Sequence, residues 1–261
     1  MDKGKKRSKK IEEEIKKTWD KHGKVGYEHF VKMKVMKGYM AALGKMLLPC
    51  PGGTVFDGGC GVGHNFKQIL EKTKAKKLIG GDYSEEMLKK ARKLLEKMDS
   101  SFKDRIELVE VDLTKRFPFK DNMFDAVVYS ISLNYLPYYQ WKDTLEETFR
   151  TLKPEGFMYF VGQTREFDFS KGYKKEVFRE MKEKLLKGDI PFIIWLFRVK
   201  GVVAKINEFS KKGIIIYPTI NELKECLKEL GFVNIEVIAQ HNAKEHKGAG
   251  TAIRAQKPRI S

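Results

Sequence analysis

Apolar residues recur along this chain with two alternating periods. From residue 9 to about 48 the period is helical, with Ile11, Ile15 and Trp19 on one face, then Tyr27, Val31, Met33, Val35, Met36, Tyr39, Met40 and Leu43. Gly23 and Gly26 are expected to break this region into two helices, and Pro49, Pro51, Gly52 and Gly53 to end it. Beyond them, short apolar runs alternate with amphipathic stretches. The runs predict strands at 55–57, 77–82, 106–111, 124–130, 157–162, 232–239 and 250–256. Helices are predicted at 64–70, after Ser84 with Met87, Leu88, Ala91, Leu94 and Leu95 as the stripe, at 139–152, and at 220–230 behind the cap Thr219. The run FDAVVYS at 124–130 is nearly continuous in apolar residues, which suits a central parallel strand. Strand and helix alternate, so a parallel sheet covered on both faces is expected, with its ligand at the carboxyl ends of the strands.

The pattern changes between 164 and 218. Tyr173, Val177, Phe178, Met181 and Leu185 predict an amphipathic helix, and 190–206 is apolar with Arg198, Lys200 and Lys205 set into it. Such a segment is too long and too helical for a connection, and is read as a lid inserted into the core. The resulting plan is a basic flexible tail at 1–10, a helical cap at 11–50, a core at 51–163 and 219–258, and a lid at 164–218.

Charge adds a hint about partners. Lys and Arg number 52 against 35 Asp and Glu, a net charge of +17. That favours anionic partners, although the lysines are spread along the chain, as solvated helix faces also require. Cys50, Cys60 and Cys226 have neither paired nor metal-ligand spacing, so no metal is expected and a reducing cytoplasm suits them. The charged first residues do not resemble an export signal, and the uncharged run 190–197 is too short to span a bilayer.

The chemistry concentrates in Val55-Phe56-Asp57-Gly58-Gly59-Cys60-Gly61-Val62-Gly63. A strand, a glycine loop and a helix start present free N–H groups to a ligand that can approach the backbone closely. A dinucleotide loop needs a third glycine, but Phe66 stands where Gly61 and Gly63 would require it, and no GxxxxGK[ST] is present. The spacing is instead D-x-G-x-G-x-G.

With GGDYSEEMLKKA, VEVDLTKRFPFKDNMFDAVV, RTLKPEGFMYF and NELKECLKELGFVNIEVI following in order, the chain resembles the class I S-adenosylmethionine-dependent methyltransferases over about 51–258, apart from the insertion. The layout is most like their small-molecule, quinone and lipid branch. The resemblance implies an α/β fold with a Rossmann-like seven-stranded sheet, mostly parallel with the last strand antiparallel. It also implies S-adenosylmethionine as methyl donor and S-adenosylhomocysteine as product. Asp57, Gly58, Gly59, Cys60, Gly61 and Gly63 would form the cofactor loop, with Asp57 and the backbone of Gly59 and Gly61 at the amino-acid end. Asp82 would take the ribose hydroxyls, Tyr83 would lie on the adenine, Asp112 and the Leu113 amide would read its amine, and Ser130 would sit near the methyl group.

Methyl transfer from a sulfonium needs alignment, and a base only when the acceptor carries a proton. The acceptor wall is expected from 130–139, from the first helices near Trp19, and from the lid. Tyr27, His22, Tyr135 and Asn134 are the candidates to orient or deprotonate the acceptor. Residues 130–133 are Ser-Ile-Ser-Leu, which lack both the [DN]PP[FYW] motif and the nucleophilic cysteine of base-directed relatives. Nucleic acid is therefore a weaker partner than a small or lipid-like acceptor. The basic, apolar lid also suits peripheral contact with an anionic membrane from the cytoplasmic side. The alternatives are an RNA- or protein-directed methyltransferase, or a non-catalytic binding protein on the same fold.

Overall fold

Seven of the apolar runs are strands of one sheet. The computed structural model describes residues 2–165, 172–240 and 251–259. In chain order the elements are α1 (Asp2–Val31), α2 (Lys34–Met46), β1 (Thr54–Gly58), α3 (Phe66–Thr73), β2 (Lys77–Asp82), α4 (Glu85–Leu95), α5 (Ser100–Lys103), β3 (Ile106–Glu110), β4 (Phe124–Ser130), α6 (Trp141–Thr151), β5 (Leu152–Gly162), α7 (Gly172–Leu186), α8 (Ile190–Lys211), α9 (Ile220–Glu229), β6 (Val233–Gln240) and β7 (Thr251–Gln256). The sheet order is β3-β2-β1-β4-β5-β7-β6. The first five strands in that order are parallel, and β7 runs antiparallel to both β5 and β6. This is the Rossmann-like sheet expected from the sequence.

Successive strand residues feed opposite layers. Val55, Ala126 and Val128 pack into the cluster built by α2, α3 and α4, where Tyr39, Leu43, Phe66, Ile69 and Leu88 are buried. Their neighbours Phe56, Val127 and Tyr129 pack into the cluster of α6 and α9, with Trp141, Leu145, Leu223 and Leu227. The period of two along each strand thus fixes a three-layer core. Sheet order reverses between β1 and β4, so the loops leaving these strands diverge and open a crevice at their carboxyl ends.

Several boundaries differ from the expectation. Helix α1 begins at Asp2 and absorbs the stretch read as a tail, because Lys- and Arg-rich sequence favours the helix without needing an apolar stripe. Gly23 stays helical. Gly26 kinks the helix with φ 104° and ψ 56°, a conformation open to glycine, and the chain breaks only after Val31. The helix expected at 139–152 is split into two 3₁₀ turns, Leu133–Tyr135 and Tyr138–Gln140, followed by α6. Strand β5 starts at Leu152 and bulges through Lys153-Pro154-Glu155-Gly156 before pairing resumes at Phe157. The side chains of Tyr173 and Val177, and the residue Gly250, lie outside the described residues.

Among the described residues of 164–218 none lines the crevice cavity, where the sequence reading expects a lid. Helix α8 lies along α1, burying Phe192, Trp195, Val199 and Val202 around Met33, and Phe209 with Ile215 around Ile15 and Trp19. The insertion braces the cap helix. Among the described residues no helix is long and apolar enough to cross a membrane.

Phe66 couples this core to the glycine loop. It is fully buried, and its ring fills the space where a side chain at Gly63 would stand, while a Cβ at Gly80 would meet its Cζ at 2.6 Å. Tyr129, equally buried, donates its hydroxyl proton to Thr148 Oγ1 at 2.7 Å, since the Thr148 proton is engaged by the Thr144 carbonyl. In urea unfolding Phe66→Ala is expected to cost about 3–5 kcal/mol through the cavity it leaves. Tyr129→Phe, which keeps the ring, is expected to cost about 1 kcal/mol. Equal costs for the two would contradict this division between packing and polar terms.

Candidate active site at the strand ends

The crevice encloses a cavity of about 240 Å³. One end is polar and is made by the strand termini. The loop after β1 turns on Gly59 and Gly61, which have φ of 72° and 56°. A Cβ at Gly59 would collide with Ser132, so the two loops approach as closely as glycine permits. Both Gly59 and Cys60 donate their N–H to the Gly81 carbonyl, at 2.7 and 2.9 Å, which pins the turn to β2.

Asp82, at the end of β2, is buried and accepts two backbone bonds at 2.9 Å, from Gly61 N–H on Oδ2 and from Ser84 N–H on Oδ1. A carboxylate offers about four lone-pair sites, so each oxygen keeps room for one more donor. Burial raises its pKa to about 6, the negative charge of Asp20 adds to that, and the two backbone bonds oppose it. Asp57 on β1 is almost fully enclosed, and its Oδ2 has no partner among the described residues. Its pKa rises to about 7, first through burial and then through the charge on Asp82. Two acids on adjacent strands are thus held together without an ion-pair partner among the described residues.

Asp112, just past β3, spends Oδ1 on the N–H and hydroxyl of Thr114, at 2.9 and 2.6 Å, which closes the turn and leaves Oδ2 outward. The neighbouring Leu113 carbonyl accepts from Thr144 Oγ1 of α6 at 2.7 Å. Tyr83 has a buried hydroxyl with no partner among the described residues, and burial pushes its phenol well up.

The other end is aromatic and apolar. Trp19 and Tyr27 of α1 face Ile131, Tyr135, Leu136 and Pro137 of the loop after β4, with the Trp19 and Tyr135 rings 4.3 Å apart. Ser130 and Ser132 present hydroxyls without partners among the described residues, and Ser130 lines the cavity at the end of β4. Burial, followed by the nearby Asp82 charge, raises the Tyr27 phenol far above its ordinary range. It can donate a hydrogen bond but cannot serve as a base near neutrality.

Of the residues expected at the cofactor, Gly59, Gly61, Asp82, Tyr83, Asp112, Leu113 and Ser130 line this cavity. Asp57, Gly58, Cys60 and Gly63 do not line it. Gly58 makes way for the Tyr129 and Phe56 rings, Gly63 seats Phe66, and the Cys60 thiol is buried with its pKa raised. Of the four acceptor-side candidates, Tyr27 and Tyr135 reach the cavity. His22 does not: it stands behind Trp19 and Tyr27, at ring distances of 5.3 and 4.8 Å. Burial and then the charge of Lys90 lower its pKa to about 4, so it stays neutral. Asn134 is also misassigned by the sequence. Its amide nitrogen donates to the Gln163 carbonyl at 2.8 Å and its oxygen accepts from Gln163 N–H at 3.0 Å, so it ties the β4 loop to the end of β5.

The sequence reading misses Glu12, Lys16 and Gln140, which also line the cavity. Glu12 accepts from Lys115 Nζ at 2.8 Å and Gln140 Nε2 at 3.0 Å, and Lys16 pairs with Glu110 at 3.3 Å. With Ser84 Oγ donating to Asp20 at 2.6 Å, these bonds hold α1 across the crevice. Their signal is the spacing of Glu12 and Lys16 four apart, one position beyond the Ile11–Ile15–Trp19 stripe.

Comparison with known proteins agrees with this architecture. A family model described as a methyltransferase domain matches residues 55–156. An uncharacterised chloroplastic methyltransferase of Arabidopsis thaliana is 30% identical over 189 residues, covering 72% of this chain and 45% of that protein. Demethylmenaquinone methyltransferase of Staphylococcus aureus is 28% identical over 160 residues, covering 61% of this chain and 59% of its own length. The chain thus spans about half the length of the curated relatives it matches. Among solved structures, an S-adenosylmethionine-dependent methyltransferase of Methanococcus maripaludis superposes with a TM-score of 0.58 at 19% identity, covering 93% of this chain and 95% of that one. A Haloferax volcanii protein solved with the Trm112 methyltransferase activator superposes with a TM-score of 0.63 at 18% identity, covering 92% and 97%. The family-model match and the superposed folds fall on the same strands and the same loop, so residues 55–156 are similar in sequence to a methyltransferase domain and the chain shares the fold of the solved methyltransferases.

Proposed function

We propose that this protein transfers a methyl group from S-adenosylmethionine to a small, largely apolar acceptor. The observation that carries the reading is the two-ended cavity, with acidic strand termini and a glycine loop at one end and the Trp19, Tyr27 and Tyr135 rings at the other. The residues present fit the cofactor. Asp57 has a buried carboxylate oxygen without a partner among the described residues, and the Gly59 turn is a cradle that a Cβ would fill. The cofactor, when bound, supplies a methyl group activated by a positively charged sulfur.

The chain's part is to bind, align and exclude water. Asp57 would face the cofactor's ammonium through the loop, and the Gly59 and Gly61 backbone would hold its amino-acid end. Asp82 would accept from the ribose hydroxyls on its remaining lone pairs. Tyr83 would lie against the adenine, and Asp112 Oδ2 with the Leu113 amide would hold its edge. Ser130, Tyr27 and Tyr135 would position the acceptor, and the aromatic wall of α1 would keep the reacting atoms dry. His22 and Asn134 act behind this wall, as packing and as a brace.

An apolar acceptor suits the wall and agrees with the name of the staphylococcal relative, demethylmenaquinone methyltransferase. A non-catalytic binding role is not favoured by any feature of the cavity.

Asp82→Ala is expected to weaken S-adenosylmethionine binding about a hundredfold in isothermal titration, because two charge-assisted bonds are removed. Unaltered affinity would refute the ribose assignment. The electrostatics predict a proton effect as well. In the free protein burial holds Asp57 and Asp82 protonated up to about pH 7 and 6, and a cationic ligand favours their ionised forms. Binding should therefore release protons below about pH 7, and affinity should rise as pH increases from 5 to 8. Titrations in buffers of different ionisation enthalpy measure this, and proton uptake in that window would contradict it. Tyr27→Phe should lower kcat about tenfold, the worth of one hydrogen bond, while leaving any rise of kcat with pH in place. Loss of that rise would mean that the phenol acts as a base after all.

A further inference from the structure

A second cavity, of about 130 Å³, lies on the opposite side of α1, where the Gly26 kink meets the start of α8. Nothing in the methyl-transfer reading uses it. Its lining includes Lys24, His29, Lys90 and Arg198, together with Gly26 and Trp195. Trp195 is 5% exposed, yet its indole Nε1–H has no partner among the described residues. A buried donor left unpaired is costly, so a site that can supply an acceptor is the natural explanation.

The donor itself is enclosed. At φ 104° Gly26 adopts a conformation that other residues resist, and a Cβ there would meet Trp195 Cδ1 at 3.3 Å and His29 Cδ2 at 3.1 Å, so the missing side chain is what lets both rings close on the kink. The nearby acids are already engaged. Glu28 pairs with Lys90 at 2.5 Å, and Asp189 pairs with Lys184 at 3.3 Å while capping α8 through Phe192 N–H. Lys24 and Arg198, both exposed, form no ion pair among those of the described residues. The cavity thus offers two exposed cations without ion-pair partners among the described residues, beside a buried indole, which suits a phosphate group.

The surface around it identifies where that phosphate comes from. Phe178, Leu186, Ile190 and Phe197 are 64–77% exposed, and Leu185 and Ile194 each 46%, all on the α7–α8 hairpin. The Lys200 ammonium lies 5.8 Å from the Phe197 ring, with its stem along the apolar face. Large exposed apolar side chains flanked by Lys187, Arg198 and Lys200 are the composition of an interfacial segment on an anionic bilayer.

We propose that the α7–α8 hairpin rests on an anionic membrane surface and that the cavity at the Gly26 kink takes a lipid headgroup phosphate, with Lys24 and Arg198 as its donors and the Trp195 indole beside it. The proposal is independent of the methyl-transfer reading.

Two arms test it on the full chain. In the first, the ¹⁵N-labelled protein is titrated with inorganic phosphate and the three indole resonances are followed. The resonance absent from Trp195→Phe, which keeps the ring packing, should shift while those of Trp19 and Trp141 stay in place. The paired variant Lys24→Ala/Arg198→Ala should weaken the shift about tenfold or more, as expected for loss of charge-assisted bonds. In the second arm the protein should sediment with phosphatidylglycerol-containing vesicles and not with phosphatidylcholine alone, and both Ile194→Ser/Phe197→Ser and Lys24→Ala/Arg198→Ala should reduce the bound fraction. S-adenosylmethionine titration of each variant checks that it is folded. An unmoved Trp195 resonance would overturn the site. A phosphate shift with equal behaviour towards both vesicle types would overturn the membrane as its source.

Discussion

Asp57 and Asp82 set the terms for the rest of this structure. Both carboxylates are buried at the carboxyl edge of adjacent strands, and neither has a cationic partner among the described residues. Such a pair is tolerable only if it is protonated, hydrogen-bonded or offered to a positive ligand. The fold uses backbone N–H groups for Asp82, through Gly61 and Ser84, and leaves Asp57 Oδ2 enclosed and unpaired among the described residues. The glycine loop follows from this constraint. It must approach Asp82 closely enough to donate from Gly61 and must turn back on the Gly81 carbonyl, which Gly59 achieves in a left-handed conformation.

Much of the sheet is legible in the sequence because burial on both faces leaves a plain mark. Phe124 to Ser130 reads as a central strand and is one, and the Ser84 cap and the Thr219 capping box occur where the helices begin. The positions of Asp82 and Asp112 at strand ends are equally readable, since an acidic residue closing an apolar run has few structural uses. That Gly58 and Gly63 face rings and not the cavity is not readable, because a glycine that admits a ring and a glycine that admits a ligand look alike. Tyr129, 71 residues further on, decides the first position, and Phe66, three residues on, decides the second only because its ring folds back against the loop. Asn134 and His22 illustrate a different limit. A polar residue near a site suggests chemistry, but Asn134 meets a backbone carbonyl and N–H of its own length apart, and His22 is surrounded by rings.

The cap helix is the least legible part. Its apolar stripe is visible, whereas Glu12 and Lys16 look like a solvated face. They bind Lys115, Gln140 and Glu110 across the crevice, so the polar side of α1 is also functional surface. Surface ion pairs of this kind are each worth little, and the position of α1 must rest mainly on its buried contacts. Ile15 and Trp19 pack on Val62 and Met87 of the core, which places the aromatic wall directly over the cofactor loop.

Those contacts assign a purpose to the 164–218 segment that a lid would not serve. Helix α8 buries Phe192, Trp195, Val199 and Val202 against the kinked half of α1, and Phe209 against the half that carries Trp19. Lys205 adds a pair to Glu14 at 3.3 Å. The kink at Gly26 is what lets one helix satisfy both demands, since it turns Tyr27 and Phe30 inward while Trp195 closes on the opposite side. The strand ends therefore fix the polar end of the cavity, and the insertion shapes the aromatic end at one remove, through the helix it supports. A substitution in α8 can then shift the aromatic wall without replacing a residue that lines it, because a close-packed interior transmits the displacement.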